Sequence, residues 1–146
     1  METVKALTVW QPWASFIGHS KTFETRGWST NYRGLIAIHA AKRWDNRLKH
    51  TSISLLSRYP ELNSLIDIEQ PVLGAIISIC YLEDVIPSEA YKATAHQFYT
   101  PRQQEIELAV GDWSEGRFGW KMRLIEQLDT PIQVIGKQGL WNWQRI

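Results

Sequence analysis

The eleven residues Val72–Leu82, Val-Leu-Gly-Ala-Ile-Ile-Ser-Ile-Cys-Tyr-Leu, carry no charge and only one hydroxyl besides the tyrosine. A run this apolar, rich in β-branched residues and preceded by the loop Glu69-Gln70-Pro71, predicts a strand buried on both faces or wrapped inside a barrel. It rules out a chain built of helices alone, because a central strand of this kind needs partners on either edge. The partners are legible around it. Lys5–Trp10 is short, β-branched and aromatic; Thr22–Trp28 alternates; Leu35–Ala40 follows the turn Tyr32-Arg33-Gly34. Arg117–Leu128 and Thr130–Ile135 read as two more strands. After the turn Gly136–Gly139, Leu140–Arg145 closes the series with Trp141 and Trp143 on one face.

Helices interrupt this pattern at three places. Pro12 opens a segment over 12–19 in which Trp13, Phe16 and Ile17 fall at helical spacing, with Gly18 near its end. Ile53, Leu55, Leu56 and Tyr59 define a second helix that Pro60 breaks. Thr100-Pro101, followed by Gln103, has the form of an N-cap with proline at the first helical position and predicts a short helix to about Ala109. Six or seven short strands with two or three helices predict an α+β fold: a small, curved β-barrel with flanking helices, in one domain spanning residues 1–146.

Charge is unevenly divided. Residues 1–50 hold eight Lys and Arg against Glu2, Glu24 and Asp45, a net of +5, while the remainder holds eight basic and twelve acidic residues, a net of −4. A basic half on a near-neutral chain suits a local anion-binding face. Cys80 is the only cysteine, which excludes an internal disulfide and a cysteine-based zinc site. The four histidines show no ligand spacing, so neither metal nor cofactor is expected. No secretory leader pattern or membrane-length apolar run is present, and a cytoplasmic location without membrane contact is the expectation.

Within the basic half lies Lys21-x-x-Glu24-x-Arg26. Glu24 and Arg26 share one face of a strand and Lys21 sits at the turn before it. The spacing suits two uses. One is a structural ion pair, Glu24 with Arg26 or Lys21, that holds helix to barrel. The other is a grip on a flat, anionic, hydrogen-bonding ligand, with Lys21 and Arg26 on phosphate or stacked on a base, and Glu24 on an exocyclic amine. Trp10, Gln11, Trp13 and Trp28 surround the segment as candidate walls, Arg33 as a candidate rim, and His39 as a polar ring on an apolar strand. Tryptophans here serve either the core or stacking on unpaired bases. A lysine beside a glutamate also becomes a nucleophile or base where burial or neighbouring cations lower its pKa. No phosphate-binding glycine loop and no nucleophile-elbow serine accompany it.

Three stretches together resemble the ASCH domain, a branch of the PUA-like superfamily: Leu7-Thr8-Val9-Trp10-Gln11-Pro12-Trp13-Ala14, Lys21-Thr22-x-Glu24-Thr25-Arg26-x-Trp28, and Tyr32-Arg33-Gly34-x-Ile36-Ala37-Ile38-His39-Ala40. The tail from Pro131 to Trp141 is similar to the closing strands of bacterial and phage ASCH proteins. The resemblance implies a curved barrel with a cleft beside the first helix, and recognition of RNA, single-stranded nucleic acid or a modified nucleoside. The family pattern is Gly-x-Lys-x-x-Glu-x-Arg, and here Gly18 stands one residue farther from Lys21. A related branch of amidohydrolases removes the acetyl group of acetylcytidine with a Lys, a Thr and a Glu. Lys21 matches the first, Glu24 occupies the Thr position, and the later Glu falls at Ser78. Ribonuclease activity is a further proposal for ASCH-like domains. If the chain is an enzyme, Lys21 and Glu24 are the catalytic candidates; the departures favour recognition over hydrolysis.

Overall fold

The structure is a computed structural model and describes residues 2–146. Six strands form one sheet: β1 (Glu2–Val9), β2 (Phe23–Arg26), β3 (Gly34–Ala40), β4 (Ala75–Pro87), β5 (Phe118–Gln133) and β6 (Leu140–Arg145), in the order β2-β5-β4-β3-β1-β6. β1 and β3 run parallel, Leu7 opposite Ile38, and all other neighbours are antiparallel.

Alternation along the central strands divides the core between the two faces. Leu7, Val9, Ile36, Ile38, Cys80 and Leu82 join one cluster with Trp120 and Met122. Val4, Ala6, Ala37, Ile76 and Ile79 join another with Trp141 and Trp143. The apolar run of β4 is therefore buried on both sides, as its composition requires. The strand begins at Ala75, three residues later than expected, because Gly74 (φ 66°) turns the chain there, and it runs on to Pro87 beside β5.

The sheet is α+β and curved but is not a closed barrel. β2 and β6 are its two edges and share no ladder. With only four residues, β2 pairs fully with β5 and has no length left to complete a ring. A side chain spans the gap instead: Arg26 Nη2 donates to Thr8 O of β1 at 2.9 Å. The two strands expected over 117–135 are one, β5, bent by register shifts against β4. Pro131 is tolerated because β2 flanks only Phe118–Lys121, so the far edge of β5 needs no donor there.

Four helices pack around the sheet: α1 (Trp13–Phe16), α2 (Asn46–Arg58), α3 (Ser88–Thr94) and α4 (Pro101–Ala109). α1 is a single turn, shorter than the expected 12–19. Phe16 O accepts from both His19 N (3.0 Å) and Lys21 N (3.1 Å), and Gly18 takes φ 82°, so the chain doubles back at once. A Cβ on Gly18 would stand 3.0 Å from Leu124 Cβ and 3.1 Å from Cys80 Sγ, so this tight return needs a glycine. α2 starts where Asp45 Oδ1 accepts from Leu48 N, and Pro60 ends it by opening a 3-10 turn over Pro60–Leu65. α4 carries the expected cap as a full capping box of Thr100 and Gln103. Phe16, Tyr59, Leu62, Ile106 and Val110 hold the helices together, which brings the end of α4 against the Lys21 turn.

Candidate functional site

The opening between β1 and β2 holds a cavity of about 450 Å³. Its walls come from the end of β1 (Thr8–Trp10), from Trp13 of α1, from Lys21 and Glu24–Arg26, and from the segment 109–112 with Arg117. Lys21 is 1% exposed, yet its side chain lines this space. Its backbone is pinned by Phe16 O and by Gly18 N, which donates to Lys21 O at 2.9 Å.

The charged groups are close-set. Lys21 Nζ lies 3.7 Å from Glu24 Oε1. Arg26 Nε lies 3.0 Å from Glu24 Oε2, without the alignment of a hydrogen bond. Behind Lys21 stands Glu107 of α4, only 4% exposed. Its Oε2 accepts from Thr22 N (3.0 Å) and its Oε1 from Phe23 N (2.9 Å), which ties the Lys21 turn to α4. Burial pushes the Lys21 ammonium below its ordinary range, against the attraction of Glu24 and Glu107, and Arg26 lowers it further. Burial likewise pushes the Glu107 carboxyl up, against Lys21 and the two amide donors. Two cations and two carboxylates make a close-set group without net charge, and its three buried members, Lys21, Glu24 and Glu107, lose solvation that their neighbours only partly replace.

The far wall is fastened to β2 by hydrogen bonds. Asp112 N donates to Thr25 Oγ1 (3.0 Å), Arg117 Nη2 to Thr25 O (3.1 Å) and Arg117 Nε to Asp112 O (3.0 Å). Gly111 permits the closest approach of this wall. A Cβ there would stand 3.2 Å from Lys21 Nζ and 3.0 Å from Trp113 Nε1.

Of the residues expected at the site, Trp10, Trp13, Lys21, Glu24 and Arg26 meet around the cavity. Four others lie elsewhere. Gln11 is fully buried, its Nε2 donating to Val72 O and its Oε1 accepting from Ser15 N, and it secures the turn into α1. Trp28 follows the end of β2, where the face alternation is lost; its ring packs edge-on to Trp120 at 4.7 Å. Arg33 donates to Thr30 O and Tyr32 O of its own turn and reaches Asp84. His39 points to the opposite face of the sheet, where its Nδ1 meets Thr8 Oγ1, its Nε2 donates to Val134 O and its ring packs on Trp141. Burial holds its pKa below the ordinary value. Ser78 is buried in β4 and does not line the cavity.

Sequence reasoning missed Glu107, Gly111, Asp112 and Arg117. One signal was present for Glu107: Gln103, Glu107 and Val110 align at helical spacing, so an acid falls on the inward face of α4. Among the described residues no group of His, Cys, Asp and Glu is placed to hold a metal ion, and no helix is long and apolar enough to cross a membrane.

No family model matches the chain, and no curated protein does. Among solved structures, the chain is similar to a mutant of the ZmASCH protein from Zymomonas mobilis. The identity is 15%, the TM-score 0.48, and the match covers 89% of this chain and 75% of that one. A structural neighbour of the chain is thus an ASCH protein.

Proposed function

We propose that the cleft is a nucleic-acid-binding site that takes a base, presented by RNA, by another single strand or by a modified nucleoside. The observation that carries this reading is the pairing of Lys21 Nζ and Glu24 Oε1, 3.7 Å apart and buried at the base of a cavity bounded by two indoles. A donor and an acceptor side by side match the edge of a nucleobase, which carries acceptors and donors at similar spacing. Trp10 and Trp13 supply flat apolar walls for its faces. The net neutrality of Lys21, Arg26, Glu24 and Glu107 favours an uncharged base edge over a phosphate at the bottom of the cleft. Arg26 is held between Glu24 and Thr8 O and orients the carboxylate.

Calorimetric titration of the four ribonucleosides and of short single strands tests this reading. Binding is expected for at least one of them, and its loss in Lys21→Met and Glu24→Gln proteins that keep their melting transition. Unchanged binding in both variants, or no binding by the wild type, removes the reading.

One observation favours a hydrolytic use of the same cleft: a lysine whose ammonium is held below its ordinary range beside a carboxylate is suited to take up a proton. Thr25, the hydroxyl next to Glu24 in sequence, already accepts from Asp112 N. Turnover of acetylcytidine or of RNA by the pure protein, abolished in Lys21→Met, decides for this reading; no product above background decides against it.

A further inference from the structure

A second cavity, of about 330 Å³, lies across the turn that carries Lys21. Lys21 lines the cleft, whereas the next two residues, Thr22 and Phe23, line the second cavity. Phe23, Tyr91 of α3, Tyr99 and Ile106 of α4 give it largely apolar walls, and Glu107 is its one buried carboxylate. Two polar groups here lack the partners that burial normally demands. Glu107 is 4% exposed and makes no ion pair within 4.0 Å among the described residues; its hydrogen bonds come from the Thr22 and Phe23 amides. Tyr91 is 3% exposed with its ring stacked on Trp113 at 4.0 Å, and its hydroxyl makes no hydrogen bond among the described residues. Arg26 Nε and Ser78 Oγ are the sealed side-chain atoms without a partner, so the Tyr91 oxygen reaches the open space of the cavity instead. Burial pushes the phenol up and the charge of Glu107 adds to it, so the hydroxyl feels the carboxylate without bonding to it.

The charge balance of the walls decides the sign of what enters. Arg102 at the rim is already held by both oxygens of Glu61, at 2.7 and 2.9 Å, and His19 Nε2 meets Gln127 Oε1 at 2.9 Å. An anion therefore finds no unpaired cation on these walls, whereas a cation finds Glu107. Each carboxylate oxygen that accepts one amide keeps a further lone pair, the phenol oxygen is a second acceptor, and aromatic faces attract an ammonium. An uncharged ligand suits the apolar walls but leaves the buried carboxylate as poorly compensated as before. We propose that this cavity is a second binding site, which takes the primary ammonium group of an organic cation with an apolar body. The ammonium donates to Glu107 and to Tyr91 Oη, and the body packs against Phe23, Tyr99 and Ile106. The site is separate from the cleft and does not depend on what the cleft binds.

Titration with phenethylammonium, followed in amide NMR spectra, tests the proposal beside two probes of similar shape, neutral phenethyl alcohol and anionic phenylacetate. The Thr22 and Phe23 amides donate to Glu107 and so report directly on a ligand at its carboxylate. Phenethylammonium is expected to move these two resonances and to bind at least about tenfold more tightly than the alcohol, as hydrogen bonds to a charged group provide. Phenylacetate is expected not to bind. Tyr91→Phe removes a hydroxyl that has no partner within the fold, so the melting transition stays in place while the ammonium is held about threefold or more weakly. Glu107→Gln abolishes the preference for ammonium over alcohol. Alcohol binding as tightly as the ammonium, or no binding of the ammonium by the wild type, overturns the proposal. So does binding that moves the Trp10 and Trp13 indole resonances of the cleft and leaves Thr22 and Phe23 unmoved. If Glu107→Gln does not fold, unchanged affinity in Tyr91→Phe is sufficient to overturn it.

Discussion

Replacement of Lys21 by methionine separates a binding lysine from a structural strut. At 3.7 Å and an effective dielectric constant of about 20, attraction to Glu24 amounts to about 4.5 kcal/mol before any cost is counted. Against it stands the removal of the ammonium from water, several kcal/mol for an ion so fully enclosed. The two are ranked by the ammonium's titration, which lies below the ordinary 10.5 with burial as the largest cause, ahead of Glu24 and Glu107. The charge is therefore a net cost to folding, about 1.4 kcal/mol for each pH unit of depression. Methionine keeps the apolar stem and removes that cost, while Glu107 loses the cation that most opposes its burial. The expected outcome at pH 7 is stability unchanged or raised by up to about 2 kcal/mol, a melting temperature higher by as much as about 4–8 °C, and ligand binding lost. The pH dependence has a definite sign. Between the depressed folded value and 10.5 the unfolded wild type holds more protons than the folded protein, so its stability rises with pH in that window. The variant lacks this rise, and its advantage fades as pH approaches 10.5. Urea denaturation at pH 7 and in steps toward pH 10 reads both effects. A loss of about 3 kcal/mol or more at pH 7, the cost of breaking a net-favourable buried pair, refutes the reasoning and makes Lys21 a strut.

Two further outcomes follow from the packing beneath the site. Gly18→Ala forces a side chain into φ 82° and within 3.0 Å of Leu124 Cβ, so a loss of about 2–4 kcal/mol is expected in denaturant titrations, and less than about 1 kcal/mol contradicts the tight return before Lys21. Burial pushes the Cys80 thiol up to about 12, so iodoacetamide at pH 8 should label the protein only in denaturant; stoichiometric labelling of the native protein contradicts its enclosure.

Local patterns in the chain carried most of the elements because each rests on a few adjacent residues. The Thr100–Gln103 capping box, the stop at Pro60 and the two-faced burial of β4 are of this kind. What failed depended on partners. Alternation predicted strands on both sides of Asp129 but not that β4 is long enough to pair with them as one bent ladder from Ala75 to Pro87. Nothing in the residues of β2 and β6 states that these edges stay apart. That follows from β2 having four residues and from Arg26 reaching Thr8 O with a side chain where a barrel would use backbone.

The same distinction explains the site. Lys21, Glu24 and Arg26 are neighbours in sequence and meet in space, whereas Glu107 is 84 residues from the Phe23 amide that it accepts from. Its discovery changes the chemistry expected of the cleft. With Glu24 alone, Lys21 and Arg26 leave a net positive charge; with Glu107 added the group is neutral, the premise of the proposed base site. The cations of the Lys-x-x-Glu-x-Arg segment are already matched by carboxylates within the fold, whereas Lys42 and Arg47 after β3 stay exposed.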